Sequence, residues 1–452
     1  MTKETIPTEE ELLGATSMPV IAGPEAGPLV DGDLSPTDDP TPLKKASKGY
    51  IFWMMAANFG ISMAFIVPLS YSLALRIDEL APGREEVLGY VTGTAQLIYI
   101  LASPLLGVWS DRFRSTLGRR RPFMLAGALL GLVALAFIAV APNVFLVGVG
   151  WIFAMLGWAT AAQAILNVQA DRIPEEQRGK LGGLTGLTGQ MAPIFGIGIA
   201  YAVASSTLLV FVLPGLVGAL LLLFFLFFGK EDDSRNLRRK DAVSVKTLLS
   251  SYTFSPRKHP DFGWNWLGRF VFFMGLYFNT TFGTFFYAQR LDLPVREVAG
   301  TVAIIGILGV FAAIFGALVG GFLSDKLRRR KLFALIGALF FVAGGAVEAF
   351  AYDFTMLVAG AVLMQLSIAA FSAVDQAIVI AVLPNREEAG RYMAVVAFSQ
   401  KIPSAIAPLL APFIIAIGAT ADEKNYTVLY LAGAVLALIG GLIVFTKIKA
   451  VR

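Results

Sequence analysis

The chain has 452 residues, of which 56% are hydrophobic and only 15% are charged. Soluble domains carry about 25% charged residues, so this composition excludes an ordinary soluble domain. With no cysteine and a single histidine, the chain cannot form disulfides, and we expect neither a metal site nor a cofactor. The sequence shows no nucleophile–base pair and no Walker-type phosphate loop. We therefore expect neither an enzyme nor an ATP-driven pump.

The first 48 residues differ from the rest of the chain. They contain nine Asp or Glu and seven Pro, and little apolar content follows Val30. A segment of this composition cannot bury enough apolar surface to offset the entropy of ordering it. We predict a disordered cytoplasmic tail over residues 1–48.

Long apolar stretches fill the remainder of the chain. A helix needs roughly 20 mainly apolar residues to cross a bilayer. A window of that length predicts an all-α membrane protein with twelve transmembrane helices. The predicted spans are 50–75, 86–109, 122–142, 144–169, 181–203, 208–229, 263–288, 297–323, 332–352, 354–382, 391–418 and 426–446.

The basic residues are distributed unevenly between the two sides of these spans. With a cytoplasmic N-terminus, 30 Lys or Arg fall in cytoplasmic segments and five in outer segments. This is the positive-inside pattern of a membrane protein, and it places both termini in the cytoplasm. Because topology explains the net charge of +5, we expect the lipid bilayer of the cell (inner or plasma) membrane as partner, and no nucleic acid.

The sequence also repeats itself at an offset of 210 residues. The segment "GRRRPFMLAGAL" (118–129) aligns with "RRRKLFALIGAL" (328–339), and Pro174 aligns with Pro384. Two six-helix halves in parallel repeat are therefore predicted. The predicted organisation is a tail at 1–48, an N-terminal half at 49–229, a cytoplasmic linker at 230–262 with an interfacial helix at 243–252, and a C-terminal half at 263–452.

The loop "GVWSDRFRSTLGRRRPF" (107–123) carries a resemblance to a known family. Together with the parallel repeat, it resembles the signature of the major facilitator superfamily between its second and third helices. The long spacing from Asp111 to Gly118, followed by a triple Arg and Pro, is similar to the branch of sucrose–proton and glycoside–cation symporters. The resemblance implies that the halves rock about a central site, and that a monomer is the functional unit.

The resemblance further implies a cytoplasmic gate at this loop. Asp111 would contact a helix end across the interface between the halves, and the Arg cluster would reach acids such as Asp171. A carboxylate is favoured at a helix N-terminus by about 0.3–1 kcal/mol. Topology alone explains the arginines but not Asp111. The predicted gate residues are Gly107, Asp111, Arg112, Gly118, Arg119, Arg120, Asp171 and Asp325.

Ionisable residues inside spans cost about 2.5–3.5 kcal/mol, so each is a functional hypothesis. Asp375 and Lys401 lie at matched depth on consecutive spans, which predicts an ion pair that couples transport to an ion. A fixed structural pair and direct substrate binding by Asp375 are the alternatives. We expect Arg269 to extend its guanidinium to the cytoplasmic interface or to bind an anion, and Glu348 to reach lipid headgroups at the outer end of its span.

Polar uncharged residues in the spans predict a substrate cavity. In the family that the sequence resembles, the first, fourth, seventh and tenth helices line it, and amides and aromatics such as Trp158 and Tyr277 suit a hydroxylated ligand. The predicted cavity residues are Asn58, Gln163, Asn167, Gln190, Arg269, Asn279, Gln365, Gln376 and Gln400.

The fourth span departs from the sucrose-carrier pattern. It reads "QAILNVQAD" before Asp171 and lacks the Arg of that branch, so we expect ion coupling in the C-terminal half. The resulting hypothesis is a proton- or sodium-coupled symporter for a sugar or glycoside. The alternatives are a proton-coupled exporter of amphipathic compounds and a non-transporting membrane receptor of the same fold.

Overall fold

A computed structural model of the protein describes residues 45–229, 254–385, 388–420 and 423–451. Most of the predicted tail at 1–48 lies outside the described residues. The greater part of the linker at 230–262, including the predicted interfacial helix at 243–252, also lies outside them.

The described residues form twelve helical rods of membrane-spanning length. Ten of these rods are long and apolar enough to cross a membrane, and the remaining two, α5 and α7, are more polar. The helices are α1 (Lys48–Leu80), α2 (Glu86–Arg112), α3 (Arg121–Val140), α4 (Val144–Arg172), α5 (Glu175–Ala202), α6 (Thr207–Phe228), α7 (Pro260–Thr281), α8 (Gly283–Leu291), α9 (Ala299–Leu327), α10 (Arg330–Ala349), α11 (Phe354–Ala381), α12 (Ala389–Ile415) and α13 (Tyr426–Lys447). Helices α7 and α8 together make one rod.

The two ends of the bundle carry different loops and are called the basic face and the opposite face. The basic face holds loops 113–120, 173–174 and 328–329, and the opposite face holds loops 81–85, 141–143 and 350–353. Four helices that begin at the opposite face are capped there by a side-chain oxygen that accepts a hydrogen bond from a backbone N–H, which the first turn of a helix leaves unpaired. The capping residues are Asn143, Ser206, Asp353 and Asn425.

Two of the rods are broken near their middle. A π-helical turn, Pro68–Ser72, interrupts α1, because proline lacks the N–H that would continue the hydrogen-bond ladder. The seventh rod bends at Phe282, which separates α7 from α8. Helix breaks of this kind are frequent at functional sites, and both border the cavity described below.

The halves pack by the same rule. In the first half α1 packs on α5 and α6, α2 on α4, and α3 on α4 and α6. In the second half α7 packs on α12 and α13, α9 on α11, and α10 on α11 and α13. These pairs correspond one to one under the sequence repeat. The predicted fold class, an all-α membrane protein of two parallel-repeated six-helix halves, is confirmed.

Close helix approach within each half depends on small residues. A Cβ atom on Gly60 of α1 would lie 2.9 Å from the Cα of Gly218 on α6. The equivalent pair in the second half is α7 and α13, where a Cβ atom on Gly275 would lie 2.2 Å from the carbonyl oxygen of Gly433. Membrane helices associate by such close packing because lipid supplies no hydrophobic drive between them.

The halves meet through α2 against α12 and α5 against α9. The ion pairs described between the halves lie at the opposite face, and a hydrogen bond from Thr284 to the Ser70 carbonyl joins the halves beside the cavity. Arg296 pairs with Glu79 at 2.7 Å, and the Tyr71 hydroxyl donates to the Arg296 carbonyl at 2.8 Å. Tyr426 donates to Glu85, and Lys424 lies 3.6 Å from Glu86. The bundle is therefore closed toward the opposite face.

Candidate functional site

A cavity of about 550 Å³ lies between the two halves. Its volume is within the range of about 300–1,000 Å³ that small-molecule sites occupy. Residues of α1, α2, α4 and α5 line one side, and residues of α7, α8, α9, α11 and α12 line the other. The cavity therefore lies where two rocking halves would share a ligand.

A buried ion pair in the cavity wall joins α7 to α11. An Arg269 guanidinium nitrogen donates to Asp375 Oδ2, and Arg269 Nε donates to Ser399 Oγ on α12 at 3.0 Å. The side chains of Arg269 and Asp375 are only 8% and 1% exposed. The sequence did not predict Arg269 as a partner of the Asp375 carboxylate, and the role of Asp375 and Lys401 in ion coupling stays a prediction.

The position at which α7 begins explains this omission. The sequence predicted that the seventh span begins at 263. Arg269 would then lie near the cytoplasmic start of the span, with its guanidinium at the interface. The helix begins at Pro260, so Arg269 is nine residues inside it, about 14 Å at 1.5 Å per residue. That depth places Arg269 level with Asp375, and the predicted extension to the interface is wrong.

Lys401 lies on α12 in the same cavity wall and is 6% exposed. Its Nζ is 6.0 Å from the centre of the Tyr99 ring on α2, a distance at which an ammonium group is attracted by the ring face. Lys401 therefore faces the other half of the molecule across the cavity.

Five of the predicted amide residues do line the cavity. They come from α5, α7, α11 and α12. These residues are Gln190, Asn279, Gln365, Gln376 and Gln400. Gln190 and Gln400 occupy equivalent positions in the sequence repeat and face the cavity from opposite halves. Amide groups both donate and accept hydrogen bonds, which suits a ligand with many hydroxyl groups.

The structure does not bring the three amide residues of α1 and α4 into the cavity. Asn58 Nδ2 donates to Thr188 Oγ1 at 2.8 Å, and Gln163 Nε2 donates to Asn167 Oδ1 at 3.0 Å. These amides lie toward the basic face and bond to other helix residues, so the prediction that Asn58, Gln163 and Asn167 line the cavity is wrong. Trp158 is fully buried and also lies outside the lining, whereas Tyr277 is part of it.

Sequence reasoning missed the contribution of α2. Thr92, Gln96 and Tyr99 line the cavity from this helix. They recur at i, i+4 and i+7, the spacing of one helix face. This polar face is visible in the sequence of an apolar span, but the family resemblance implied that other helices line the cavity.

A second charged cluster lies at the basic face, away from the cavity. Arg120 pairs with Asp111 at 2.7 Å and with Asp171 at 3.1 Å, and it also donates to Ser110 Oγ at 2.9 Å. Arg119 reaches the same Asp171 oxygen at 2.7 Å. Because the Arg120 side chain is only 7% exposed, this cluster ties the ends of α2, α3 and α4 together within the first half.

The partner of Asp111 differs from the expectation. Asp111 was expected to contact a helix end in the other half, but its ion-pair partner is Arg120 in its own half. At Gly107, another of the predicted gate residues, a Cβ atom would meet nothing within 4 Å. Gly118 has a φ of +92°, which favours glycine for the backbone conformation itself. Arg112 is exposed in the last turn of α2.

The second half holds a simpler version of this cluster. Arg330, the repeat equivalent of Arg120, donates to Asp325 Oδ1 from Nε at 2.9 Å and from a terminal nitrogen at 2.7 Å. The side chains of Arg330 and Asp325 are 35% and 54% exposed. The repeat equivalent of Asp171 is Ala381, so the second half has no carboxylate at that position.

Glu348 on α10 is fully buried, at 0% exposure. It was expected to reach lipid headgroups, but a side chain that did so would be exposed on the protein surface, so that prediction is wrong. The hydroxyl of Tyr287, a cavity-lining residue of α8, donates to Glu348 Oε1 at 3.4 Å.

The fold and the central cavity define a membrane transporter built from two six-helix halves. The model of the Major Facilitator Superfamily matches residues 49–318 and 310–451, and the chain belongs to this family. It is similar in fold to a bacterial homolog of the human lysosomal transporter Spinster, solved in an inward-facing and unoccupied conformation, with a TM-score of 0.69. That similarity spans 90% of this chain and 98% of the other at 16% identity.

Local sequence similarity points toward sugar transporters. The chain is 33% identical over 109 residues to the proton-associated sugar transporter A of Mus musculus, covering 22% of this chain and 14% of that protein. It is 32% identical over 130 residues to the general alpha-glucoside permease of Schizosaccharomyces pombe, covering 26% and 22%. It is 32% identical over 111 residues to a sucrose transport protein of Oryza sativa subsp. indica, covering 24% and 18%. Each match thus spans less than a quarter of the relative.

Proposed function

We propose that the protein is a proton-coupled symporter that moves a sugar or glycoside by alternating access. The observation that carries the proposal is one cavity whose wall combines amide groups, aromatic rings and a buried Arg269–Asp375 pair. The local identity to sugar transporters supports the same substrate class. The functional unit is a monomer in the cell membrane, with the basic face and both termini in the cytoplasm, as the distribution of basic residues favours.

The lining chemistry suits a sugar. Hydroxyl groups need partners that both donate and accept, and Gln190, Gln365 and Gln400 offer both. The apolar faces of a sugar ring need a flat apolar surface, which Tyr99 and Trp151 supply. A buried site with unpaired polar groups discriminates strongly against ligands that lack hydroxyls.

Coupling to a proton follows from the charge balance in the wall. When Asp375 is ionised it holds the Arg269 guanidinium; when Asp375 binds a proton, the attraction is lost and Arg269 becomes available to a substrate hydroxyl. Asp375 Oδ1 has no hydrogen-bond partner among the described residues, so a proton on this oxygen displaces no existing contact. Sugar and proton then favour each other's binding, which is the linkage a symporter requires.

Alternating access divides the charged contacts between two states. In the described state the halves are joined at the opposite face. We infer that the cavity communicates with the basic face in this state, which is then open to the cytoplasm. In the other state the basic-face cluster of Asp111, Arg120 and Asp171, with Gly107, Arg112, Gly118, Arg119 and Asp325 around it, contacts the facing half and closes the cytoplasmic gate.

The test is uptake of labelled maltose, sucrose, trehalose and glucose into proteoliposomes under an imposed inward proton gradient. We expect gradient-driven accumulation of at least one sugar, and its loss in Asp375→Asn. The matched control is Asp353→Asn, which replaces a carboxylate outside the cavity and keeps the helix cap, because Asn caps as well as Asp.

Three other outcomes would contradict the proposal. Accumulation of sugar driven by a sodium gradient alone would show that sodium, and not the proton, is the coupling ion. Efflux of amphipathic dyes without sugar uptake would indicate an exporter, and stabilisation by a sugar without flux under any gradient would indicate a receptor.

A further inference from the structure

A second buried carboxyl group, that of Glu348, lies behind the cavity-lining residue Tyr287. Glu348 is 0% exposed, and its Oε1 accepts a hydrogen bond from the Tyr287 hydroxyl at 3.4 Å. Its other oxygen, Oε2, is inaccessible and has no hydrogen-bond partner among the described residues. Within 4 Å of Glu348 the described residues supply no cation. An ionised carboxylate in such surroundings is unfavourable, whereas the neutral acid is tolerated.

The surroundings of Glu348 are shaped to hold its side chain. A Cβ atom on Gly360 of α11 would lie 2.6 Å from Glu348 Cγ and 2.8 Å from its backbone nitrogen. The absence of a side chain at Gly360 therefore makes the space that Glu348 occupies. This is a built enclosure for a carboxyl group, and not a side chain left at the lipid surface.

The charged and titratable groups around Glu348 come from α8 and α13. On α8, Arg290 donates to the Ala349 carbonyl at 2.8 Å and to Thr427, and its guanidinium stacks on the Phe286 and Tyr352 rings. Arg290 is thus engaged next to Glu348 without pairing with it. On α13, the Tyr426 hydroxyl donates to Glu85, and the Tyr430 ring stacks on the Phe286 ring of α8.

Tyr287 connects this carboxyl group both to the cavity and to the contact between the halves. It lines the cavity, and it lies three residues after Thr284 on the same short helix α8. Thr284 donates to the Ser70 carbonyl in the broken segment of α1. Helix α8 therefore contacts Glu348 on one side and the other half of the molecule on another.

We propose that Glu348 is a second proton-binding site, separate from Asp375, whose protonated form holds α8 in place and keeps the opposite face closed. The neutral acid remains buried with the Tyr287 hydroxyl on Oε1. Loss of the proton to water leaves a carboxylate without a cation, and α8 moves to admit water to it. The movement breaks the contact of Thr284 with Ser70 and opens the opposite face. The inference rests on the proposed alternating access but not on the role of Asp375.

The test is a distance measurement across the opposite face as a function of pH, made on the full chain without sugar. Because the chain has no cysteine, Pro82→Cys and Glu297→Cys place spin labels at two exposed positions, one in each half. The measurement is made with Glu85→Gln present, so that this other buried acid does not contribute. Between about pH 5 and about pH 8 we expect the distance to lengthen in a titration step.

Glu348→Gln should abolish this step and leave the short distance at every pH. Asp353→Asn, at the same face, should leave the step unchanged. Persistence of the same step in Glu348→Gln would overturn the proposal and make Glu348 a permanently neutral structural acid.

A milder variant covers the case in which Glu348→Gln does not fold. Tyr287→Phe keeps the carboxyl group and removes the hydroxyl that bonds to it, so the step should persist with a displaced midpoint. An unchanged midpoint would overturn the proposal. Since no substrate or flux is involved, a failure here is distinct from a failure of the proton-coupled transport proposed above.

Discussion

The two halves of this protein share one fold but divide the charged residues between them. In the first half the buried Arg120 pairs with two carboxylates, those of Asp111 and Asp171; in the second its equivalent, Arg330, pairs with Asp325, and the Arg330 side chain is 35% exposed. Inside the membrane it is the second half that carries the charged residues. The cavity charges Asp375 and Lys401 of the second half correspond to Ile165 and Met191 of the first.

This division teaches how a duplicated fold separates two tasks. The first half provides a basic face with more ion pairs, and the second half provides the charged residues of the cavity wall. At the opposite face the halves complement each other, because the first contributes the acids Glu79, Glu85 and Glu86 and the second contributes Arg296, Tyr426 and Lys424.

The largest expected effect comes from removing one member of the cavity pair. Asp375→Asn leaves the Arg269 guanidinium buried without its counter-charge, which should cost about 3–5 kcal/mol of stability. The double variant Asp375→Asn with Arg269→Gln removes both charges and should recover most of that loss. Thermal unfolding of the detergent-solubilised protein measures both. A double variant no more stable than the single one would contradict the pairing.

The difference between the halves can be tested by placing a charge in the first half at the position equivalent to Asp375. Ile165 is fully buried, and Ile165→Asp should destabilise the protein by about 2.5–3.5 kcal/mol, the cost of an unpartnered charge in a membrane helix. Ile165→Val, the matched control, should cost about 0.5–1.5 kcal/mol. The same thermal unfolding assay compares them. Equal stability of the two variants would show that the first half tolerates a charge as the second does.

The two basic-face clusters should also contribute differently to stability. The cluster of the first half should contribute more, but the effect is smaller than in the cavity wall. Asp171→Asn removes a carboxylate that binds both Arg119 and Arg120, and should cost about 1.5 kcal/mol, the lower end for hydrogen bonds to charged groups. Asp325→Asn breaks an exposed pair and should cost less than about 1 kcal/mol. Unfolding of the two variants side by side tests this order, and a larger loss for Asp325→Asn would reverse it.

The smallest effect concerns pH at the opposite face. Burial raises the pKa of Glu85 from 4.5, and the hydrogen bond from Tyr426 and the charge of Lys424 oppose part of this rise. The closed contact is therefore fully stable below the ordinary pKa and weakens as pH rises through the raised one. Alkylation of a Ser70→Cys variant from the opposite face should accelerate over that window by more than the rise in the thiolate fraction of the cysteine accounts for.

The Ser70→Cys measurement is best made with Glu348→Gln present, so that only one buried acid of this face titrates. Adding Glu85→Gln should then make the alkylation rate, divided by the fraction of the introduced cysteine present as thiolate, independent of pH over the window. A corrected rate that still rises with pH in that variant would assign the effect to another group.

Much of the fold could be predicted from hydropathy and the 210-residue repeat, because both are properties of long segments. Of the cavity residues, Gln365 and Gln376 were predicted because they are polar residues in an apolar span, and Asp375 because it is an ionisable one. Arg269 was misplaced because the start of α7 lies three residues before the apolar run begins, and the partner of Asp375 depended on that depth.

Other features required the three-dimensional arrangement. Glu79 and Arg296 are 217 positions apart, and no local pattern links them. Asn58, Gln163 and Asn167 have the composition of cavity residues, but they bond to neighbouring helix residues. Glu348 lies near a span end, where the sequence alone favours the lipid interface, and only the packing on Gly360 shows that it is enclosed.

The central claim is that a sugar and a proton are transported together, and that Asp375 in the cavity wall couples them. It is tested most directly with a pH-sensitive dye sealed inside proteoliposomes at symmetric starting pH, to which sugar is added outside. The account predicts that a transported sugar acidifies the interior in wild-type protein, and that Asp375→Asn still exchanges labelled sugar without acidification. Sugar entry with no proton influx in the wild type, or unchanged influx in Asp375→Asn, would contradict it.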